Sequence, residues 1–194
     1  MKLYIDLYKK AELSYENEDF EKALEYFKKL NVLNPSNTNA NYIACCYIGL
    51  KQFDKAQEMY QILKNTTHWE PVYYNLARVY MVKKQFDDAF LNLKEAVAIN
   101  PTNDDCYFYL GVYYEKIREY EKAIENYNKA VQLSDVSEDI SMYLNNIGFC
   151  YYKMRDYDKA LHYCNLSLEK DMNNKDAIYN IKLITTLKEG EYDE

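Results

Sequence analysis

Histidine, cysteine and carboxylate side chains supply nucleophiles, general bases and metal ligands, so their spacing is where chemistry would show first. Of the two histidines, His68 stands far from the other, and His162 lies two residues from Cys164, a spacing that turns two helical side chains to different faces. The five cysteines, Cys45, Cys46, Cys106, Cys150 and Cys164, are odd in number and form no C-x-x-C pair, as expected of free thiols in a reducing compartment. Cys45 and Cys46 are neighbours, which on a helix points them about 100° apart. The four glycines, Gly49, Gly111, Gly148 and Gly190, are too dispersed for a phosphate-cradling loop. Glu18, Asp19 and Glu21, like Glu119 and Glu121, gather where helices should begin and complement the helix dipole there. No catalytic set, no cofactor site and no metal site is expected. The surplus is tyrosine, 23 residues in all, a side chain suited to packing and to recognition.

The elements that must position these residues are helices. Four Gly and three Pro in 194 residues are too few for the turns of a sandwich or barrel, and 48% hydrophobic with 28% charged residues is an ordinary globular balance. The net charge of -7 disfavours nucleic acid and anionic membrane surfaces as partners. No apolar run reaches the roughly 18 residues of a spanning helix, and the N-terminal MKLYIDLYKKAE mixes charges among its apolar residues. Together with the thiols, this places the expected location in the cytoplasm.

The apolar pattern repeats. Ala23, Ala56, Ala89, Ala123 and Ala160 stand 33, 33, 34 and 37 residues apart, each preceded three residues earlier by an aromatic: Phe20, Phe53, Phe86, Tyr120 and Tyr157. Twelve residues upstream of each alanine is another small residue, Ala11, Ala44, Ala77, Gly111 or Gly148. Small residues at helical spacing in two successive segments allow two helices to approach closely, and a fixed period of this length means a stacked array. Cys46 and Cys150 fall at equivalent inward positions, where cysteine is a small apolar filler.

The pattern resembles the tetratricopeptide repeat (TPR), whose W-x-x-L-G-x-x-Y, then A-x-x-x-F, then P recurs approximately. One copy reads Tyr73, Leu76, Ala77, Tyr80, Ala89, Leu93, Pro101 and the next Tyr107, Leu110, Gly111, Tyr114, Ala123, Tyr127, with Asp135 in place of proline. A fifth gives Leu144, Ile147, Gly148, Tyr151, Ala160 and Cys164. The resemblance implies an all-α, right-handed α-solenoid of five TPR-like helix pairs plus a C-terminal capping helix. As one domain over 1–194, the repeats fall near 4–36, 37–69, 70–103, 104–138 and 139–174, followed by a cap at 175–189 and an acidic tail at 190–194. Lys10 and Ser14 make the first unit's outer face partly polar, as an end unit requires, and Ile178 and Ile181 of the cap are expected to face back onto the array. Extra residues before the fifth repeat suggest an added turn with Ser137 as N-cap.

In the repeats this chain resembles, first-helix positions five, six and twelve line a concave groove, and Arg78, Val112 and Phe149 are added to that set. By that resemblance the groove residues are Asn41, Tyr42, Tyr74, Asn75, Arg78, Phe108, Tyr109, Val112, Asn145, Asn146, Phe149 and Tyr152, with Tyr8, Tyr15, Met81 and Tyr179 on the same register. Carboxamides can bond a peptide main chain, and tyrosine gives apolar area at low entropy cost. The implied function is a non-enzymatic adaptor that binds a protein or peptide partner in extended form. Self-assembly into a homo-oligomer through the ends is the alternative. Some relatives clamp an acidic chaperone tail with Lys and Arg, but the matching places here hold Tyr8, Glu12, Tyr42, Pro71 and Asn75, or Tyr74, Arg78, Tyr109, Met142 and Asn146, so that clamp is not expected.

Overall fold

The computed structural model describes residues 2–190, apart from the side chain of Lys2. The acidic tail expected at 190–194 lies, beyond Gly190, outside the described residues. Among the described residues there are eleven helices and no strand, so the all-α repeat architecture expected from the sequence is present. The chain divides into two compact units, Met1–Asn100 and Pro101–Glu194.

Unit 1 contains α1 (Lys2–Glu16), α2 (Phe20–Leu33), α3 (Asn37–Gly49), α4 (Phe53–Thr66), α5 (Glu70–Val82) and α6 (Phe86–Ile99). Each packs on the next, and α3 also touches α5. Ala11, Ala23, Ala44, Ala56, Ala77 and Ala89 are all fully buried, so the small-residue register marks the helix crossings as the period required. Between the crossings sit the large fillers Phe27, Leu30, Tyr60 and Leu93, each fully buried and each worth about 1.5–3 kcal/mol in apolar transfer.

Unit 2 contains α7 (Asp104–Lys116), α8 (Tyr120–Leu133), α9 (Ser137–Lys153), α10 (Tyr157–Lys170) and α11 (Lys175–Gly190), again packed in sequence, with α9 touching α11. Two of its crossings use glycine. A Cβ on Gly111 would lie 2.5 Å from the Tyr127 ring, and one on Gly148 would lie 2.7 Å from Cys164 Sγ and 3.0 Å from the Ala160 carbonyl oxygen. These helices approach about a methyl group closer than alanine permits.

Within each of the five helix pairs the chain turns through the same three-residue loop. Its middle residue is left-handed and never glycine: Glu18 (φ 57°), Lys51 (57°), Lys84 (59°), Arg118 (63°) and Arg155 (61°). In each, the middle N–H bonds the carbonyl three residues back and the next N–H bonds the carbonyl five back, as in Glu18 to Tyr15 at 3.0 Å and Asp19 to Ser14 at 2.9 Å. This Schellman arrangement satisfies the orphan carbonyls of the first helix. The residue that closes it also starts the second helix, and Asp19 and Asp156 accept from the N–H groups of Lys22 and Lys159 in that role.

Two local expectations are corrected. The added turn before the fifth pair is real, since α9 runs 17 residues where α7 runs 13, but Val136 is the N-cap and Ser137 is already helical. On α11 it is Ala177 and Ile184 that are buried, with Ile181 packed beside them, whereas Ile178 is 49% exposed. The cause is Asn174. Its Oδ1 accepts from the N–H groups of Asp176 (3.1 Å) and Ala177 (3.0 Å). Its Nδ2 donates to Ser141 Oγ (2.9 Å) and Ser167 Oγ (3.2 Å), which bond each other at 2.9 Å. That buried clasp sets the rotation of α11 by joining it to α9 and α10.

Candidate functional site: two helix faces

On the face of unit 1 formed by α1, α3 and α5, the candidate residues are largely engaged with one another. Tyr42 stacks flat on Phe27, with centroids 4.4 Å apart and planes at 1°, and meets the edge of Tyr15 at 5.6 Å. Tyr8 meets Phe27 edge-on at 6.3 Å, and burial, with Tyr42 beside it, pushes its phenol up to about 12. Asn41 holds its Oδ1 buried with no hydrogen-bond partner. Asn75 is buried and accepts from Arg78 Nη1 at 3.2 Å, while the Arg78 guanidinium lies 5.5 Å from the Tyr74 ring centre.

Four of the five thiols are held in their neutral form by burial. Cys45 Sγ lies 3.1 Å from the Tyr60 hydroxyl, and burial raises its titration. Cys46 and Cys150, both buried, are pushed up to about 12, and Cys164 to about 11. A thiol so far from ionising near neutrality is a poor nucleophile. His68 bonds the Tyr73 hydroxyl at 3.2 Å and stacks edge-on against that ring.

On unit 2, α7 contributes Phe108, Tyr109 and Val112. Phe108 packs 5.3 Å from Tyr143 and 5.9 Å from Tyr127, with Tyr109 edge-on to it at 5.1 Å, and Val112 packs against the same core. Farther along the face, an open cleft of about 240 Å³ is lined by Glu115 of α7, Asn145, Asn146 and Phe149 of α9, and Asp176, Tyr179 and Asn180 of α11. Three of the groove residues, and Tyr179 on the same register, thus converge with Glu115, Asp176 and Asn180.

The cleft is polar, with aromatic walls. Asn180 Nδ2 donates to Asn145 Oδ1 at 2.9 Å, closing one end. Tyr127 donates to Glu115 Oε2 at 3.1 Å, and burial followed by the Glu115 charge raises the Tyr127 phenol far above its ordinary range. Lys153 Nζ lies 5.1 Å from the Phe149 ring centre and 5.5 Å from that of Tyr152, whose ring is 6.1 Å from Phe149. Tyr179 is 65% exposed, so most of its ring is open to a ligand.

Sequence reading picked out none of Glu115, Asp176 and Asn180. The signal was there: Glu115 follows Gly111 by the same four residues that separate Tyr152 from Gly148, and Asn180 takes the place on α11 that Asn146 takes on α9. Treating α11 only as a solvating cap hid both Asn180 and Asp176.

Helix pairs crossing at small residues, with odd-numbered helices exposing aromatic and amide side chains, define a helical-repeat protein of the tetratricopeptide class. Residues 3–177 match the family described as the Tetratricopeptide repeat protein 21 C-terminal ARM domain, and the chain belongs to that family. It is 30% identical over 102 residues to the BBSome complex member BBS4 of Bos taurus, a match covering 52% of this chain and 20% of that protein, so the chain spans about a fifth of that relative's length. Among solved structures, TTC0263, a thermophilic TPR protein of Thermus thermophilus, matches with TM-score 0.73 at 19% identity over 94% of this chain and 99% of its own. YrrB, a TPR protein with an unusual peptide-binding site, matches with TM-score 0.71 at 18% identity over 89% and 88%. The APC/C hetero-tetramer Cut9-Hcn1 matches with TM-score 0.76 at 21% identity, over 88% of this chain and 34% of that one. At such identities the structural likeness is one of fold.

Proposed function

We propose that the chain is a non-enzymatic protein-interaction module, and that the cleft between α7, α9 and α11 holds an extended polypeptide segment. The observation that carries this reading is the convergence of Asn145, Asn146 and Asn180 beside the Phe149 and Tyr179 rings. A carboxamide both donates and accepts, so it can pair with a main-chain amide, while the rings supply contact area with few rotors to freeze. Relatives point the same way: BBS4 is named as a member of a complex, and YrrB as having a peptide-binding site. On unit 1, Tyr74 and Arg78 are the pair assigned to contact a partner, with Asn41, Tyr42 and Asn75 shaping the surface.

The test is capture from a synthetic peptide library by the purified chain. Phe149→Ala and Asn146→Ala should each weaken the selected peptide about tenfold while the melting temperature holds, because both side chains line the cleft. Retention at full affinity by both variants would remove the cleft from the binding site.

One observation favours the second reading, self-association. Leu3, Leu7, Val32 and Leu33, with the stems of Lys28 and Lys29, form a nearly wholly apolar recess of about 540 Å³ on α1 and α2, where Leu3 is 74% and Val32 82% exposed. Sedimentation over a concentration range decides: a dimer abolished by Val32→Glu would support it, and a monomer throughout would dismiss it.

A further inference from the structure

We infer that the unit 2 cleft selects an arginine side chain in the segment it binds, an assignment that rests on the peptide-binding reading above. Glu115 is the starting point. Its side chain is only 16% exposed, and it is the penultimate residue of α7, where the helix dipole already places negative potential. A carboxylate there is opposed by its own helix, and its half-buried setting screens it poorly. Its partners are the neutral Tyr127 hydroxyl at 3.1 Å and, at 3.5 Å, the half-exposed Lys116 ammonium.

The rest of the lining complements a planar cation. Asp176 adds a second carboxylate at the exposed rim, the carboxamides of Asn145, Asn146 and Asn180 add acceptors, and no lysine or arginine lines the cleft among the described residues. Phe149 and Tyr179 add two rings. The Phe149 ring already attracts a cation within the molecule, since Lys153 Nζ lies 5.1 Å from its centre. A guanidinium spreads five donors in a plane, so it can fork onto a carboxylate, reach a carboxamide oxygen and lie on a ring at the same time. An ammonium is a compact, strongly hydrated point charge and makes only part of that set. The acceptors therefore fit arginine better than lysine.

The probe is a positional-scanning library of acetylated nonapeptides in which each position in turn is fixed as Arg, Lys, Gln or citrulline, the neutral isostere of arginine. At one position, Arg should be retained about tenfold better than citrulline, the size expected of a charge-assisted hydrogen bond. Glu115→Gln, which keeps an acceptor for Tyr127, and Asp176→Asn, an exposed site, should each shrink that preference while citrulline peptides bind as before. Binding with no preference for Arg over citrulline overturns the arginine assignment and leaves the peptide cleft standing. So does a preference unchanged in both variants. A chain that retains no peptide overturns both.

Discussion

The two units put the same repeat register to different uses. In unit 1 much of the face built by α1, α3 and α5 is engaged internally: Tyr42 lies flat on Phe27, and the Arg78 guanidinium bonds Asn75 and lies near the Tyr74 ring. In unit 2 the face built by α7, α9 and α11 leaves a cleft with Phe149, Tyr179 and three carboxamides around it. Within the helix pairs the crossings differ too, alanine in unit 1 and glycine at two places in unit 2, although Gly49 of α3 also lies close against the Phe20 ring of α2. Register alone therefore does not separate a ring that packs flat on a neighbour, as Tyr42 does on Phe27, from one that keeps most of its area exposed, as Tyr179 does.

The largest expected effect tests that distinction directly. Tyr42→Ala removes a ring stacked between Phe27 and Tyr15 and should cost roughly 2–3 kcal/mol of stability. Tyr109→Ala, at the same repeat position in unit 2, removes an edge-on contact with Phe108 in place of a flat stack and should cost less, roughly 1–2 kcal/mol. Denaturant midpoints of the two variants measure the difference, and equal losses would break the comparison.

The crossings give the next effect. Gly148→Ala should destabilise by about 1–2 kcal/mol even after the better helix propensity of alanine is counted, because the new methyl meets Cys164 Sγ and the Ala160 carbonyl. Pairing it with Cys164→Ala should restore part of the loss, since only the sulfur contact is relieved. In unit 1, Ala44→Gly should cost about 1 kcal/mol with no such coupling. A double-mutant cycle on thermal melts checks both.

Much of the fold was visible in the sequence because its information is local. A small residue every repeat, with an aromatic three residues before the alanine, is enough to say where helices cross. The left-handed hairpin residues were not visible, since Glu18, Lys51, Lys84, Arg118 and Arg155 carry no glycine to mark them. The pairing of Tyr42 with Phe27 was hidden for another reason: register says which face a side chain takes, not which neighbour from the next helix reaches it. The cleft was half visible. Asn145, Asn146 and Phe149 followed from register, whereas the α11 wall depends on the Asn174 clasp, a hydrogen-bonded junction among three helices that no single-segment pattern encodes.

Those hairpin residues sharpen the comparison by acting alike in both units. Arg118→Gly in unit 2 and Lys84→Gly in unit 1 should each stabilise by roughly 0.5 kcal/mol, the relief of a left-handed conformation outweighing the extra freedom of glycine in the unfolded chain. A gain in one unit alone would show that the five loops, despite one hydrogen-bond pattern, are not under the same strain.

The smallest effect is electrostatic and belongs to unit 2 alone. Asp139, in the first turn of α9, has its carboxyl raised above the ordinary range, first by burial and then by the nearby charges of Asp105, Asp104 and Glu138. A carboxyl that holds its proton more tightly folded than unfolded opposes folding once both states are ionised. That penalty is present at neutral pH and fades as pH falls through the raised folded value toward the unfolded one. Asp139→Asn should therefore raise the melting temperature at pH 7 by an amount equivalent to a few tenths of a kcal/mol, about what a solvent-screened charge contributes. The advantage should vanish in acid below the ordinary carboxylate range. Melts of the variant and the parent across that window decide the matter, and a gain that persists in acid would trace the effect to packing or capping of α9 instead of to repulsion among these four carboxylates.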